Sequence, residues 1–121
     1  MFQDTIVALA TAQGISAIAV IRLSGKDSIR IANEVFKGKN LEEQPTHTVH
    51  FGGLNDGQKI VDEVLVSVFK EPNSFTRENS VEISCHGSPL IIKEIIKVLI
   101  KHGARLAEPG EFTKRAFMSG R

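Results

Sequence analysis

The sequence contains 121 residues, of which 41% are hydrophobic and 24% charged, and its formal net charge is +1. These values are typical of one globular domain, and they exclude both a disordered chain and a domain that binds nucleic acid through a strongly basic charge. The single cysteine, Cys85, excludes an internal disulfide, and the sequence shows no signal peptide and no apolar run of about 18 residues. We therefore expect a cytoplasmic protein without a membrane span.

Two apolar runs near the amino terminus predict neighbouring strands. They cover residues 5–10 and 18–23 and are rich in Ile, Val and Ala. Gly14 and Ser16 lie between them and are typical of a turn.

A helix is predicted directly after the second run. Ser24 and Asp27 have the spacing of a capping box, and apolar residues follow at helical intervals as far as Phe36. Gly38 ends this pattern, so we expect the helix to end there.

The middle of the chain predicts antiparallel strands. Apolar runs at residues 46–52 and 62–69 flank the turn-forming residues 55–57, which predicts a hairpin. A polar loop follows at residues 71–74. Apolar and polar residues then alternate over residues 81–85, which predicts a strand with one face outside the core.

The last third of the chain predicts two further helices. Ser88 and Gly103 suit the two ends of a helix over residues 89–102, and a short strand at 104–107 and a last helix beginning at Pro109 follow. Because helical residues continue almost to the last residue, we expect the chain to be part of a longer protein. The pattern predicts an α+β fold, with a mixed β-sheet covered by about three helices.

The sequence contains no motif for nucleotide hydrolysis or for metal binding. Gly25-Lys26 and Gly38-Lys39 lack the upstream glycine and the following Ser or Thr of a phosphate-binding loop. His47 and His50 lie three positions apart on a predicted strand, so their side chains should point to opposite faces.

Residues 85–88 connect a predicted strand to a predicted helix and suggest two kinds of chemistry. Cys85 and His86 could form a nucleophile and base, but neighbours on a strand diverge, so we predict no catalytic residue here. The segment from His86 to Ser88 could bind an anion at the start of the helix, or it could be an ordinary tight turn.

Arg22 and Glu82 are charged residues within apolar strands. A buried guanidinium or carboxylate needs a partner of opposite charge or a set of hydrogen bonds. Three arrangements satisfy this requirement: both side chains face water, they pair with each other, or a ligand lies between them.

Several motifs occur in the order and spacing of one known family. They lie at residues 4–8, 10–11, 18–25, 72–76, 81–83, 85–87, 109–117 and 120–121. The most specific is Pro-Gly-Glu-Phe-Thr-Lys-Arg-Ala-Phe at 109–117. On these motifs, essentially the whole chain resembles the tRNA-modification GTPase family called MnmE or TrmE. It departs from the family pattern at residues 12–14, which replace a proline-containing turn, and at Ser88, which replaces a glycine.

The resemblance implies that residues 1–121 form one amino-terminal domain for folate binding and homodimerisation, similar to the folate-binding part of glycine-cleavage aminomethyltransferases. The implied ligand is 5-formyl-tetrahydrofolate or a related one-carbon tetrahydrofolate. A helical domain and a G domain that uses magnesium and potassium should follow. The complete family protein works with the flavoprotein MnmG to add an aminomethyl-type group to the wobble uridine of certain tRNAs.

The folate contacts that the resemblance implies are Arg22, Glu82 and Arg121, with a further lysine near the end of the complete protein. A carboxylate such as Glu82 can accept the adjacent N–H groups of a pterin, and arginines suit a carbonyl or the carboxylates of the glutamate tail. We expect this domain to bind and position the one-carbon donor and the bond-making to occur elsewhere.

Three other functions are compatible with parts of the sequence. The domain could be a dimerisation scaffold with only secondary folate contact, or part of a free-standing folate-dependent aminomethyltransferase. It could also be a small RNA-binding module, although its 15 basic residues are nearly balanced by 14 acidic ones. We rank the RNA-binding module last.

Overall fold

A computed structural model describes residues 2–12 and 17–120 of the chain. These residues form three α-helices, one short 3-10 helix and one mixed sheet of seven strands, which confirms the predicted α+β class. In chain order the elements are β1 (Ile6–Leu9), β2 (Ile18–Ser24), α1 (Ser28–Val35), β3 (Phe36–Lys37), the 3-10 helix (Leu41–Glu43), β4 (Thr48–Asn55), β5 (Ile60–Phe69), β6 (Ser80–His86), α2 (Pro89–Lys101), β7 (Arg105–Leu106) and α3 (Glu111–Met118).

The strands lie in the order β3-β4-β5-β6-β2-β1-β7, and every neighbouring pair is antiparallel except β1 and β7. The hairpin predicted in the middle of the chain is confirmed as β4 and β5. Its turn is closed by Asp56, whose Oδ1 accepts hydrogen bonds from the backbone N–H groups of Gln58 and Lys59. The predicted turn at Gly14 and Ser16 lies outside the described residues.

The hydrophobic core lies between one face of the sheet and helices α1 and α2. Alternate residues of β5 and β6 point into it, because successive side chains of a strand point to opposite faces. They are Val64, Val66, Val68, Val81, Ile83 and Cys85. From α2, Ile95 and Leu99 are fully buried in the same core. The opposite face of these strands carries Glu82 and is not covered by α1 or α2. We call it the free face of the sheet.

The start and end predicted for α1 are wrong. Ser24 stays in β2, where its hydroxyl bonds to Thr76 and Glu78, and the residue before the helix is Asp27, which forms no side-chain capping bond. The helix ends at Val35, and Phe36 already pairs with β4. The spacing of apolar residues could not show where the helix ends. Phe36 is buried in the core as a strand residue, and it would be buried equally as the next residue of the helix.

Helices α2 and α3 follow the prediction closely. The Ser88 hydroxyl accepts the N–H of Ile91 at the start of α2. Before α3, Gly110 adopts a left-handed φ of 74°, a conformation that glycine reaches without steric cost. Of the helices in the described ranges, none has the length and hydropathy to cross a membrane.

Candidate functional site

Arg22 and Glu82 form an ion pair on the free face of the sheet. The antiparallel register of β2 and β6 places the two residues directly opposite each other. Both Nε and Nη2 of Arg22 lie 3.0 Å from Oε2 of Glu82, and the two side chains are 28% and 32% exposed. The two charges therefore pair with each other at a partly open surface.

The ion pair lies in the wall of a cavity of about 540 Å³. The other walls are formed by His47, by Phe69 at the end of β5, and by the loop of residues 72–77. Sites for small organic ligands typically have volumes of about 300–1,000 Å³. The cavity is thus large enough to hold a ligand of the size of a vitamin or nucleoside.

Two aromatic rings flank the Arg22 guanidinium. Its Cζ lies 5.7 Å from the centre of the Phe75 ring and 5.6 Å from the centre of the Phe112 ring. These distances allow cation–π attraction, which favours one orientation of the guanidinium. The arrangement combines a charged hydrogen-bonding edge with aromatic surface, which suits a flat heteroaromatic ligand.

The loop that walls the cavity is fixed by hydrogen bonds with Ser24 and Arg115. The Ser24 hydroxyl lies 2.5 Å from Thr76 Oγ1 and 2.8 Å from Glu78 Oε2. Nη1 of Arg115 donates to both carboxylate oxygens of Glu78 at 3.2 Å. Because β2 and α3 both hold the loop, the shape of the cavity depends on the last helix as well as on the sheet.

Arg115 is almost completely buried, with 1% of its side chain exposed. Besides Glu78, it donates to the backbone carbonyl of Asp4 at 2.9 Å and to Asp4 Oδ1 at 2.5 Å, and its guanidinium lies over the Phe2 ring. A buried guanidinium needs such partners because its charge cannot be hydrated. Arg115 therefore links the amino terminus, the cavity loop and α3.

A second cluster of charges joins β7 to α3 at the surface. The Arg105 guanidinium donates to Asp4 at 2.7 Å and to Glu111 at 2.6 Å. These bonds stabilise the ionised carboxylates, and together with the smaller contribution of Arg115 they hold the pKa of Asp4 and of Glu111 below their ordinary values.

This cluster makes stability depend on pH. Because the pKa values of Asp4 and Glu111 are lower in the folded state, their contribution is present above the unfolded pKa values, about 4, and is lost as the pH falls through the lower folded values. We expect Arg105→Gln to lower the free energy of unfolding at neutral pH and to make its decrease on acidification shallower. Urea unfolding over a series of pH values measures this effect, and Lys101→Gln, on the exposed surface, is the control. An unchanged pH profile in Arg105→Gln would contradict the assignment.

The side chains of Cys85 and His86 do not point to the same side of the sheet, so they cannot act together. Cys85 is buried on the core side of β6, and this burial raises the pKa of its thiol to about 11, so the thiolate is scarce at neutral pH. His86 is exposed, and its Nδ1 lies 2.8 Å from Asp62 Oδ1. Within the described residues, no group of three or more His, Cys, Asp or Glu side chains could hold a metal ion.

The structure brings together two of the three residues that the resemblance assigned to a ligand. Arg22 and Glu82 are in contact, and Arg121 lies outside the described residues. The sequence analysis assigned no role to Phe75, Phe112 or Arg77. The two phenylalanines lie in motifs shared with the family, so these motifs could have pointed to them. Arg77 lies in a polar loop outside those motifs, and no sequence pattern points to it.

Comparison with known proteins decides the family. A profile described as GTP-binding protein TrmE N-terminus matches residues 5–121. The chain belongs to the TrmE N-terminus family. The match covers nearly the whole sequence and confirms the resemblance.

Individual relatives agree with this family. The chain is 59% identical over 118 residues to the tRNA modification GTPase MnmE of Cytophaga hutchinsonii, which covers 98% of this chain and 26% of that protein. It is 55% identical to the protein of the same name from Streptococcus thermophilus, with the same coverage, and 52% identical to the one from Flavobacterium psychrophilum, covering 100% of this chain and 27% of that protein. The chain thus spans about a quarter of the length of these relatives.

Proposed function

We propose that this TrmE N-terminus chain binds a one-carbon tetrahydrofolate, with 5-formyl-tetrahydrofolate as the reference ligand, in the cavity that contains Arg22 and Glu82. The observation that carries the proposal is the ion pair between these two residues, flanked by Phe75 and Phe112 in a cavity of ligand size. In this proposal the domain holds and positions the one-carbon donor.

The chemistry of the ion pair suits the pterin ring. Both contacts of Arg22 go to Oε2 of Glu82, and Oε1 has no partner among the described residues. A pterin presents adjacent N–H donors along one edge, which a carboxylate can accept, and a carbonyl oxygen that a guanidinium can bond. The rings of Phe75 and Phe112 offer apolar surface to the flat part of the ligand.

Calorimetric titration of 5-formyl-tetrahydrofolate into the chain and its Glu82→Gln variant tests this proposal. Glutamine keeps the shape of the side chain but removes the charge that the N–H groups would bond. We expect saturable binding to the chain and an affinity at least about tenfold lower in the variant, because hydrogen bonds to charged groups contribute about 1.5–3 kcal/mol.

Glu63→Gln is the matched control, because Glu63 is exposed on β5 and does not line this cavity. It should bind the ligand as the original chain does. Equal affinity in the chain and in Glu82→Gln, or no saturable binding to the chain, would contradict the proposal.

We also propose that the chain forms a homodimer. Large apolar side chains are exposed on the free face of the sheet, including Phe51 of β4, which is 65% exposed, and Leu65, directly opposite it on β5. Exposed apolar surface of this kind favours association. The same surface supports the alternative of a dimerisation scaffold. Light scattering beside the titration separates the two, because a dimer that binds no folate would favour the scaffold.

The activity of a longer protein is a further part of the proposal. The relatives are named tRNA modification GTPases, and this chain spans about a quarter of their length. We therefore place GTP hydrolysis, with its magnesium and potassium, in a G domain beyond this chain. The complete protein would act with MnmG on the wobble uridine of tRNA, and this domain would supply the one-carbon carrier. The strength of the match to these relatives favours this role over a free-standing aminomethyltransferase.

A further inference from the structure

Two residues with unusual backbone conformation lie in the wall of the same cavity. Among the described residues, His47 and Arg77 are the non-glycine residues with positive φ, at 62° and 65°. Both line the cavity that contains Arg22 and Glu82. Glycine adopts this conformation without steric cost, whereas other residues in it are uncommon and cluster at ligand sites.

Some of the charged side chains in the cavity wall have a partner of opposite charge, and Arg77 has none among the described residues. Arg22 and Glu82 neutralise each other at 3.0 Å. The Arg77 side chain is exposed and makes no hydrogen bond or ion pair within the described part of the chain. On its other side it borders a smaller cavity with Glu71 and Glu78, but it forms no ion pair with either. Of the described residues that line the cavity, Arg77 is thus the one cation without an ion-pair partner, beside the neutralised pair of Arg22 and Glu82.

His47 adds a second group that can bind an anion. Its Nδ1 lies 2.9 Å from the Thr46 hydroxyl, and its ring packs edge-on against Phe69 with ring centres 5.2 Å apart. These contacts hold the ring in place and leave Nε2 without a partner in the described ranges. A charged arginine and a histidine edge together suit a carboxylate or another small anion.

We propose that Arg77, assisted by His47, binds the carboxylates of the ligand's tail while the uncharged ring of the ligand lies against Arg22 and Glu82. This inference rests on the proposed folate binding and adds a specificity subsite to it. A folate has this division of charge, since its pterin ring is uncharged and its glutamate tail is anionic. Arg77 then makes the cavity prefer ligands with that tail over the ring alone.

The variant Arg77→Gly tests the subsite without threatening the fold. It removes the guanidinium, and glycine suits the positive φ at this position, so the thermal midpoint should be equal or higher. Two probes are titrated: 5-formyl-tetrahydrofolate, which carries the glutamate tail, and 6-methyl-tetrahydropterin, which lacks it. We expect Arg77→Gly to bind the first probe about tenfold or more weakly and the second with unchanged affinity.

The control is Lys59→Ala, which removes one positive charge from the hairpin turn, outside the cavity. It should bind both probes as the original chain does. Unchanged affinity of Arg77→Gly for both probes, or an equal loss for both, would overturn the subsite. Glu82→Gln tests the ring site separately. If Glu82→Gln weakens binding and Arg77→Gly does not, the subsite is wrong and the folate proposal still holds. If neither probe binds the original chain, both proposals fail.

Discussion

Replacing Arg115 by methionine is expected to lower the free energy of unfolding by about 3–5 kcal/mol, which is typical when one partner of a buried ion pair is removed. The guanidinium is 1% exposed and bonds to Glu78, whose side chain is only 13% exposed. Without Arg115, the Glu78 carboxylate would remain largely buried beside the cavity loop, with the Ser24 hydroxyl as its only side-chain partner among the described residues. Methionine fills a similar length, so the expected loss comes mainly from the charge and its hydrogen bonds.

Urea unfolding followed by circular dichroism measures this loss. Lys114→Met is the matched control, because Lys114 is the exposed neighbour of Arg115 on α3. Exposed positions usually change stability by no more than about 0.5 kcal/mol. A similarly small change in Arg115→Met would show that the fold does not need the guanidinium as a partner for Glu78 and Asp4. This result would contradict the linking role given to Arg115.

Leu99→Ala is expected to cost about 2–5 kcal/mol, because it removes a fully buried side chain and leaves a cavity where α2 meets the sheet. Leu90→Ala makes the same chemical change near the start of the same helix, where the leucine is 67% exposed. That variant should lose less than about 0.5 kcal/mol. Denaturant unfolding of the two variants compares burial alone, since residue type and helix are shared.

Equal losses in the two leucine variants would contradict the packing described for α2. A loss confined to Leu99→Ala, with an unchanged dependence of the free energy on denaturant, would support the core between α2 and the sheet.

Much of the fold could be predicted from the sequence because its patterns are local. The β4 and β5 hairpin follows from two apolar runs around a turn at Asp56, and α2 follows from an apolar stripe with Ser88 at its start. The end of α1 could not be predicted in this way. Whether Phe36 continues the helix or begins β3 depends on its pairing with Leu54, which lies far away in the chain.

The candidate site was predictable only in part, for the same reason. Arg22 and Glu82 each stood out as a charge in an apolar strand, but their contact requires β2 and β6 to be neighbours in a particular register. The interaction of Arg115 with Asp4 joins residues 111 positions apart. The position of Arg77 in the cavity wall depends on the course of a loop, which no periodic pattern encodes.

The most direct test of the central claim is to map where 5-formyl-tetrahydrofolate binds, by following the backbone amide signals of the isotope-labelled chain in nuclear magnetic resonance during a titration. We predict that the shifted signals belong to Arg22, Glu82 and the loop of residues 73–77 around the cavity. The amides of α2, on the opposite face of the sheet, should keep their positions. No shifts, or shifts confined to α2 and β7, would contradict a ligand site at the Arg22 and Glu82 ion pair.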